Sequence, residues 1–177
     1  PRLGGKPTRK RWSWILDGYQ KYGKAVPKKR KEEVLLCHPL FPVPKKDGTA
    51  RCIVDCRALN ALQVPPHPIS LLHPAEVCAR VLPNSWGAQI DMKGWFTQLP
   101  LCEGIQEWFG VRCPPQVATL TSVPMGWKYG PGIGQAASQA LVKDLWPGVD
   151  VIVWIDNICI VGDEENVVAA AMGELLA

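Results

Sequence analysis

The stretch VIVWIDNICIV at residues 151–161 places two polar residues, Asp156 and Asn157, at the centre of an apolar, β-branched run. The flanking residues are typical of buried strands, and Asp and Asn tolerate the positive φ that a two-residue hairpin turn requires. The run therefore predicts two strands that fold back at Asp156-Asn157. Taken alone, this pattern favours a purely structural turn.

A second carboxylate changes that interpretation. The segment WGAQIDMKGWF at residues 86–96 also ends a short strand-like run on an acidic residue, Asp91. Two such elements could bring Asp91 and Asp156 together. Paired carboxylates can hold a pair of divalent cations.

Charge is divided unevenly along the 177 residues, a length that fits one domain. Residues 1–51 contain fourteen Lys and Arg against four Asp and Glu, whereas residues 52–177 contain six against twelve. This split predicts a basic surface for a polyanion beside an acidic region that attracts metal ions. We expect residues 1–33 to form a weakly ordered basic arm, with a short helix around residues 12–22, and residues 34–177 to form the folded domain. A merely solvated tail remains the alternative for the arm.

Seven cysteines occur without a CxxC pair, which predicts reduced thiols and an intracellular protein, in the nucleus or the cytoplasm. No apolar run approaches the roughly 20 residues that span a bilayer, so we expect a soluble chain without a membrane partner. The last segment starts like a helix, with Asp163 as N-cap, and has no stop signal. We therefore expect the sequence to end inside an element.

Strand and helix patterns alternate irregularly between these points, which favours an α+β fold over a doubly wound sheet. A glycine-rich approach leads into the predicted helix at 135–145. The other predicted elements are strands at 40–44, 50–55, 107–112 and 119–123 and a helix at 75–81.

Four blocks, taken in order, resemble the motifs of reverse transcriptases, especially those of retrotransposons. They are KKDGTARCIVDCRALN at residues 45–60, IDMKGWFTQLPL at 90–101, VPMGWKYGPGIGQ at 123–135 and WIDN at 154–157, where the family has its YxDD box. The resemblance implies an α+β fingers and palm fold, in which an antiparallel palm sheet packs on helices. It also implies that the thumb is missing.

The resemblance assigns chemistry to these residues. Asp91 and Asp156 would be the catalytic carboxylates and, with the Met92 carbonyl, would bind two Mg²⁺ ions, or Mn²⁺. Residues implied to contact the incoming deoxynucleoside triphosphate are Lys45, Lys46, Arg51, Phe96 and Gln135. Residues implied to contact an RNA or DNA template-primer are Gly126, Lys128, Gly130 and Trp154.

Several positions depart from the family pattern. Asn157 replaces the second Asp of the box, which removes a negative charge but keeps a turn-forming residue. Trp95, Trp127, Tyr129 and Trp154 are bulkier than usual, and we expect them to narrow the cleft.

The sequence thus predicts an RNA-directed DNA polymerase that transfers deoxynucleotides to a primer 3′ end, and Asn157 leaves open whether this activity persists. The alternative is a catalytically inactive, retroelement-derived protein that binds nucleic acid. A scaffold that contacts protein partners through exposed tryptophans is a third possibility. Oligomeric state is not indicated.

Overall fold

A computed structural model describes residues 16–28, 34–44, 46, 50–113, 116–143 and 147–177. The chain forms two compact units. The first unit consists of Pro1–Pro65 and Phe96–Gly130, and the second consists of Pro66–Trp95 and Pro131–Ala177. The described residues contain no helix that is both long and apolar enough to cross a membrane.

The first unit contains a five-stranded sheet. Its strands are β1 (Ala25–Lys28), β2 (Cys37–Pro44), β3 (Ala50–Val54), β5 (Gly110–Cys113) and β6 (Gln116–Leu120). They lie in the order β1-β6-β5-β2-β3, and all neighbours pair antiparallel except β2 and β5, which are parallel. This unit also contains helices α1 (Arg57–Leu62) and α4 (Glu103–Gln106) and a 3₁₀ turn (Glu107–Phe109).

The core of the first unit forms around Phe109, Val111, Leu120 and Trp127, all of which are buried. Leu16 belongs to the same core and is fully inaccessible to solvent. Residues 16–21 are helical and β1 pairs with β6, so residues 16–28 are part of the fold and not of a weakly ordered arm. Burial of Leu16 and the β1–β6 hydrogen bonds explain this difference, because both need distant partners. Residues 1–15 and 29–33 of the expected arm lie outside the described residues.

The second unit contains a three-stranded antiparallel sheet with order β4-β8-β7. Its strands are β4 (Trp86–Asp91), β7 (Val149–Trp154) and β8 (Asn157–Gly162), and its helices include α2 (Pro74–Arg80) and α6 (Glu165–Leu176). The alternation of side chains along β8 turns Ile158 and Ile160 into the core, where they pack with Val168 and Ala171 of α6. Helix α3 (Trp95–Gln98) and helix α5 (Gly130–Leu141) begin where the chain passes between the units.

Several predicted element boundaries differ from the structure, including those of two helices and one strand. Helix α5 begins at Gly130, so the last five residues of the glycine-rich segment at 124–134 already belong to the helix. The expected strand at 107–112 starts with a 3₁₀ turn, and its strand begins at Gly110. Helix α6 has Glu164 and not Asp163 as its N-cap residue, without a side-chain capping bond. Each difference concerns an element boundary, where tertiary contacts decide between competing local conformations.

Candidate active site

The two predicted carboxylates lie at one end of the second unit's sheet. Asp91 is the last residue of β4 and stands opposite Asn157 of β8, and Asp156 is the residue immediately before Asn157. The Met92 backbone N–H donates a 2.8 Å hydrogen bond to the Asp156 carbonyl oxygen. The main chain therefore ties the segment after Asp91 to the Asp156 turn. Asp91 is exposed and Asp156 is half-buried, so both carboxylates can be reached by solutes.

The turn falls one residue earlier than the sequence predicts. Trp154 of β7 pairs with Asn157 of β8, so Ile155 and Asp156 form the two-residue loop. Ile155 has φ +56°, a left-handed conformation that is unusual for a β-branched residue. The prediction of a turn at Asp156-Asn157 was wrong because cross-strand register, and not the preference of Asp and Asn, fixes the loop. This strained backbone directly precedes the candidate catalytic Asp156.

Helix α5 supplies hydrogen bonds to this strained turn. The Gln135 side-chain Nε2 donates to the Val153 carbonyl oxygen at 3.1 Å, and its Oε1 accepts from the Ile155 backbone N–H at 2.7 Å. The Ser138 hydroxyl donates to the Ile155 carbonyl oxygen. Gln135 and Ser138 are both buried. Gln135 thus has a structural partner that the family resemblance did not imply, and its contact with a nucleotide stays a prediction.

Ser138 was missed by the sequence reasoning, although a signal existed. It follows Gln135 by three residues, and this spacing places both side chains on one face of a helix. A pair of polar residues on the buried face of an otherwise apolar helix indicates specific hydrogen-bond partners.

Asn157 uses both ends of its amide. Its Oδ1 accepts a 2.9 Å hydrogen bond from Gln89 Nε2, and its Nδ2 lies 3.4 Å from Asp156 Oδ1, to which it can donate. Gln89 precedes Asp91 by two positions and therefore emerges from the same face of β4. Asn157, the residue that departs from the family box, thus points its amide N–H donor towards the Asp156 carboxylate.

The bulky residues near these motifs do not all line a cleft. Trp95 is buried, and its indole N–H donates to the Gly134 carbonyl oxygen at 3.2 Å. Trp127 is buried in the first unit's core, edge-on to Phe109. The expectation of crowding was wrong for these two tryptophans, because their indoles fill protein interior. Trp154 remains 38% exposed beside the turn.

In the first unit, the first and third motif blocks are joined by hydrogen bonds. The Asn60 side chain donates to the Gly126 carbonyl oxygen at 2.9 Å and accepts from the Lys128 backbone N–H at 3.0 Å. The Lys128 ammonium donates to the carbonyl oxygens of Asn60 and Gln63, each at 2.6 Å, where α1 ends. Lys128 therefore satisfies the C-terminal carbonyls of a helix, and its contact with a template stays a prediction.

Gly126 meets a backbone requirement. Its φ is +115°, and a Cβ at this position would lie 2.3 Å from the Val54 carbonyl oxygen. Only glycine fits such a conformation and such a close approach. Gly130 is buried at the start of α5.

Of the residues implied to contact a triphosphate, Lys46, Arg51 and Phe96 belong to the first unit, whereas Gln135 belongs to the second. Arg51 of β3 and Lys46 are exposed, Phe96 is half-buried against the first unit's core, and Lys45 lies outside the described residues.

Arg57 binds Asp55 through two hydrogen bonds, at 2.8 and 2.6 Å. These bonds lower the pKa of Asp55 to about 2, so Asp55 is a carboxylate at neutral pH.

The donors in the second unit suit a hard divalent cation. Two carboxylates at one sheet end match the oxygen ligands that Mg²⁺ prefers, with waters and substrate phosphates filling the other positions. Among the described residues, no cluster of three or more His, Cys, Asp or Glu side chains is arranged to hold a metal. Burial, with a smaller contribution from Asp150, raises the pKa of the nearby Cys159 thiol, which disfavours thiolate ligation. A two-carboxylate site completed by substrate is therefore the arrangement that these residues fit.

The sequence matches the family model described as reverse transcriptase (RNA-dependent DNA polymerase) over residues 43–177. The chain belongs to this family.

Two curated relatives show where such segments occur. The chain is 26% identical over 141 residues to the Transposon Tf2-7 polyprotein of Schizosaccharomyces pombe, covering 77% of this chain and 10% of the polyprotein. It is 27% identical over 150 residues to the Gag-Pro-Pol polyprotein of squirrel monkey retrovirus, covering 78% of this chain and 8% of that protein. The chain thus spans about a tenth of the length of these relatives.

Solved structures of prototype foamy virus protease-reverse transcriptase share the fold. One has a TM-score of 0.78 at 22% identity and covers 96% of this chain and 22% of that chain. A foamy viral protease-reverse transcriptase in complex with double-stranded DNA has a TM-score of 0.79 at 21% identity, covering 99% of this chain and 31% of that one. The prediction of an α+β reverse transcriptase fingers and palm fold, from a retrotransposon-type element, is confirmed.

Proposed function

We propose that this chain carries the catalytic centre of an RNA-directed DNA polymerase, with Asp91 and Asp156 as ligands for two Mg²⁺ ions. One observation carries the proposal: Asp91 pairs opposite Asn157, and the Met92 N–H bonds the Asp156 carbonyl oxygen, so both carboxylates lie at one sheet end. When bound, the two cations would stabilise the attacking 3′ oxygen and the leaving pyrophosphate of deoxynucleotide transfer. Mn²⁺ could replace Mg²⁺, since it accepts the same oxygen ligands.

The backbone around Asp91 supports this assignment. The Met92 carbonyl oxygen, a third candidate ligand, accepts a 3.1 Å hydrogen bond from the Trp95 N–H. A carbonyl oxygen has two lone pairs, so one remains for a cation. The Trp95 hydrogen bonds from N–H and indole fix the segment after Asp91, so this carbonyl needs no reorganisation when a cation binds.

The substrates we propose are a deoxynucleoside triphosphate and an RNA or DNA template-primer. Arg51 offers a forked donor and Lys45 and Lys46 offer point charges, which suit triphosphate oxygens. Phe96 would exclude a ribose 2′ hydroxyl. The template-primer would contact Gly126, Lys128, Gly130 and Trp154; in support, one foamy viral relative is in complex with double-stranded DNA. We also propose a reduced, intracellular location.

A specific observation favours a second candidate function. Asn157 is neutral where the family has a carboxylate, and its amide donor faces Asp156. Loss of one negative charge weakens cation binding. A catalytically inactive protein that binds nucleic acid through its basic residues is therefore the alternative.

Primer extension on an RNA template separates the two functions. We expect extension in Mg²⁺ or Mn²⁺, and we expect Asp156→Asn or Asp91→Asn to reduce its rate by at least about 100-fold. Asp163→Asn is the matched control, because Asp163 is exposed and follows the opposite end of β8. Absence of extension by the wild-type chain in either cation, together with salt-dependent RNA binding, would contradict the polymerase and leave the binding function.

A further inference from the structure

Helix α5 holds the turn of the candidate active site from its buried side. Gln135 bonds the carbonyl of Val153 and the N–H of Ile155, and Ser138 bonds the carbonyl of Ile155. Two side chains thus contact both backbone polar groups of Ile155, which precedes Asp156, and the carbonyl of Val153, which lies two residues before Ile155 in β7. We infer that Gln135 and Ser138 are positioning residues that hold Ile155 in its left-handed conformation and thereby aim the Asp156 carboxylate.

The backbone of Ile155 requires such support. A β-branched residue at φ +56° is strained, and strained conformations persist where surrounding contacts over-determine them. The Ile155 N–H and carbonyl are both satisfied by α5 and not by a cross-strand partner, because Ile155 lies in the loop between paired residues. Without these bonds, the loop gains freedom to adopt other turn conformations.

The direction of the Asp156 side chain depends on this choice. A change of φ at the first loop residue rotates the following peptide plane, and the next side chain moves with it. The Asp156 carbonyl is fixed separately by the Met92 N–H, so the α5 contacts act on the other end of the loop. Together these bonds determine where the carboxylate points relative to Asp91.

The burial of the two side chains fits this role. Gln135 is 4% exposed and Ser138 is fully buried, and both polar groups are satisfied by the hairpin backbone. Burying an amide and a hydroxyl is unfavourable unless they are bonded, and apolar residues would fill the same space without that cost. Gln135 and Ser138 therefore contribute by fixing the geometry of the turn at Ile155. In this role Gln135 acts through Asp156.

The inference rests on the proposed metal site, and its test separates the two. Mn²⁺ binding to the full chain is measured by electron paramagnetic resonance, and exchange of the Ile155 amide hydrogen is measured by NMR. We expect Gln135→Met and Ser138→Ala each to weaken Mn²⁺ binding about tenfold, since each removes a buried hydrogen bond that shapes the site. Gln135→Met should also accelerate exchange at Ile155 while the amides of Ile158 and Ile160 stay protected.

A rescue experiment distinguishes positioning from general stability. Glycine adopts positive φ without a steric penalty, so Ile155→Gly should restore Mn²⁺ affinity to the Ser138→Ala variant to within about threefold of wild type. A merely structural loss of the Ser138 hydrogen bond would not be repaired by glycine, which lowers backbone order. The matched control is Gln139→Met, which makes the same change at an exposed position of α5 and should leave affinity unchanged.

The outcomes are distinct. Unchanged Mn²⁺ affinity in Gln135→Met and Ser138→Ala, or failure of Ile155→Gly to rescue, would overturn the positioning role. If the wild-type chain binds no Mn²⁺, or if its Mn²⁺ binding does not depend on Asp156, the metal site is refuted instead. In that case hydrogen exchange of the Ile155 amide still tests whether the α5 contacts stabilise the turn. Accelerated exchange in Gln135→Met supports this stabilisation, and unchanged exchange refutes it.

Discussion

Replacing Asn157 with Asp restores the charge that the family box usually carries, and its effects can be worked from the structure. The new carboxylate would stand about where Asn157 Nδ2 lies, 3.4 Å from Asp156 Oδ1. Two unit charges about 4 Å apart in water interact by about 1 kcal/mol, so we expect the metal-free chain to lose about 1 kcal/mol of stability. The Gln89 donor that now bonds Asn157 Oδ1 can bond the Asp carboxylate as well.

The same substitution should strengthen cation binding. A divalent ion doubles the interaction to about 2 kcal/mol, which corresponds to about 30-fold higher affinity. Urea unfolding without metal measures the first effect, and isothermal titration with Mg²⁺ or Mn²⁺ measures the second.

Asn84→Asp is the matched control for Asn157→Asp, because it makes the same chemical change, and adds the same charge, at an exposed turn. The control should change neither stability by more than about 0.5 kcal/mol nor metal affinity. The opposite result would be an Asn157→Asp variant whose metal-free stability is unchanged and which binds cations no more tightly than wild type. Such a result would mean that a charge at residue 157 does not interact with the Asp156 carboxylate or with a cation bound there.

Three further changes test the first unit by urea unfolding. Gly126→Ala should cost more than about 2 kcal/mol, because its Cβ would strike a β3 carbonyl oxygen, whereas Gly104→Ala, with open space around it, should be neutral or stabilising by up to about 1 kcal/mol. Lys128→Met should cost about 1–3 kcal/mol by leaving two carbonyls at the end of α1 unpaired; an unchanged midpoint contradicts this. Arg57 depresses the pKa of Asp55 in the folded state, so the stabilisation is present above about pH 4 and is lost as pH falls towards 2. Asp55→Asn should reduce this loss of stability at acid pH. An unchanged loss would contradict the contribution of the Arg57–Asp55 pair.

The strands around the candidate site could be predicted because their residues carry local signals. Apolar, β-branched residues on both sides of Asp156 specify a buried hairpin, and the structure forms β7 and β8 there. The position of the loop could not be predicted, because the Trp154–Asn157 pairing is set by packing across the sheet. The spacing of Gln135 and Ser138 indicates buried hydrogen-bond partners on one face of α5, but it does not identify the backbone of Ile155 as one of them.

Long-range partners account for the other differences. The sequence predicts that Trp95 narrows the cleft. In the structure Trp95 is buried and bonds Gly134 of α5, a partner that the local sequence does not indicate. The family resemblance implies that Lys128 contacts a template-primer, and the structure places its ammonium at the end of α1, more than sixty residues away in sequence. In both cases the side chain's chemistry was evident and its partner was not, since loop-spanning contacts are not coded by spacing.

Anomalous diffraction from Mn²⁺ would show whether Asp91 and Asp156 form one metal site. Crystals of the chain with a primer-template and a non-hydrolysable deoxynucleotide analogue should show two Mn²⁺ peaks about 3.5 to 4 Å apart, each bound by oxygens of these carboxylates. Two carboxylates too far apart to share the ions, or Mn²⁺ bound elsewhere on the chain, would contradict the account.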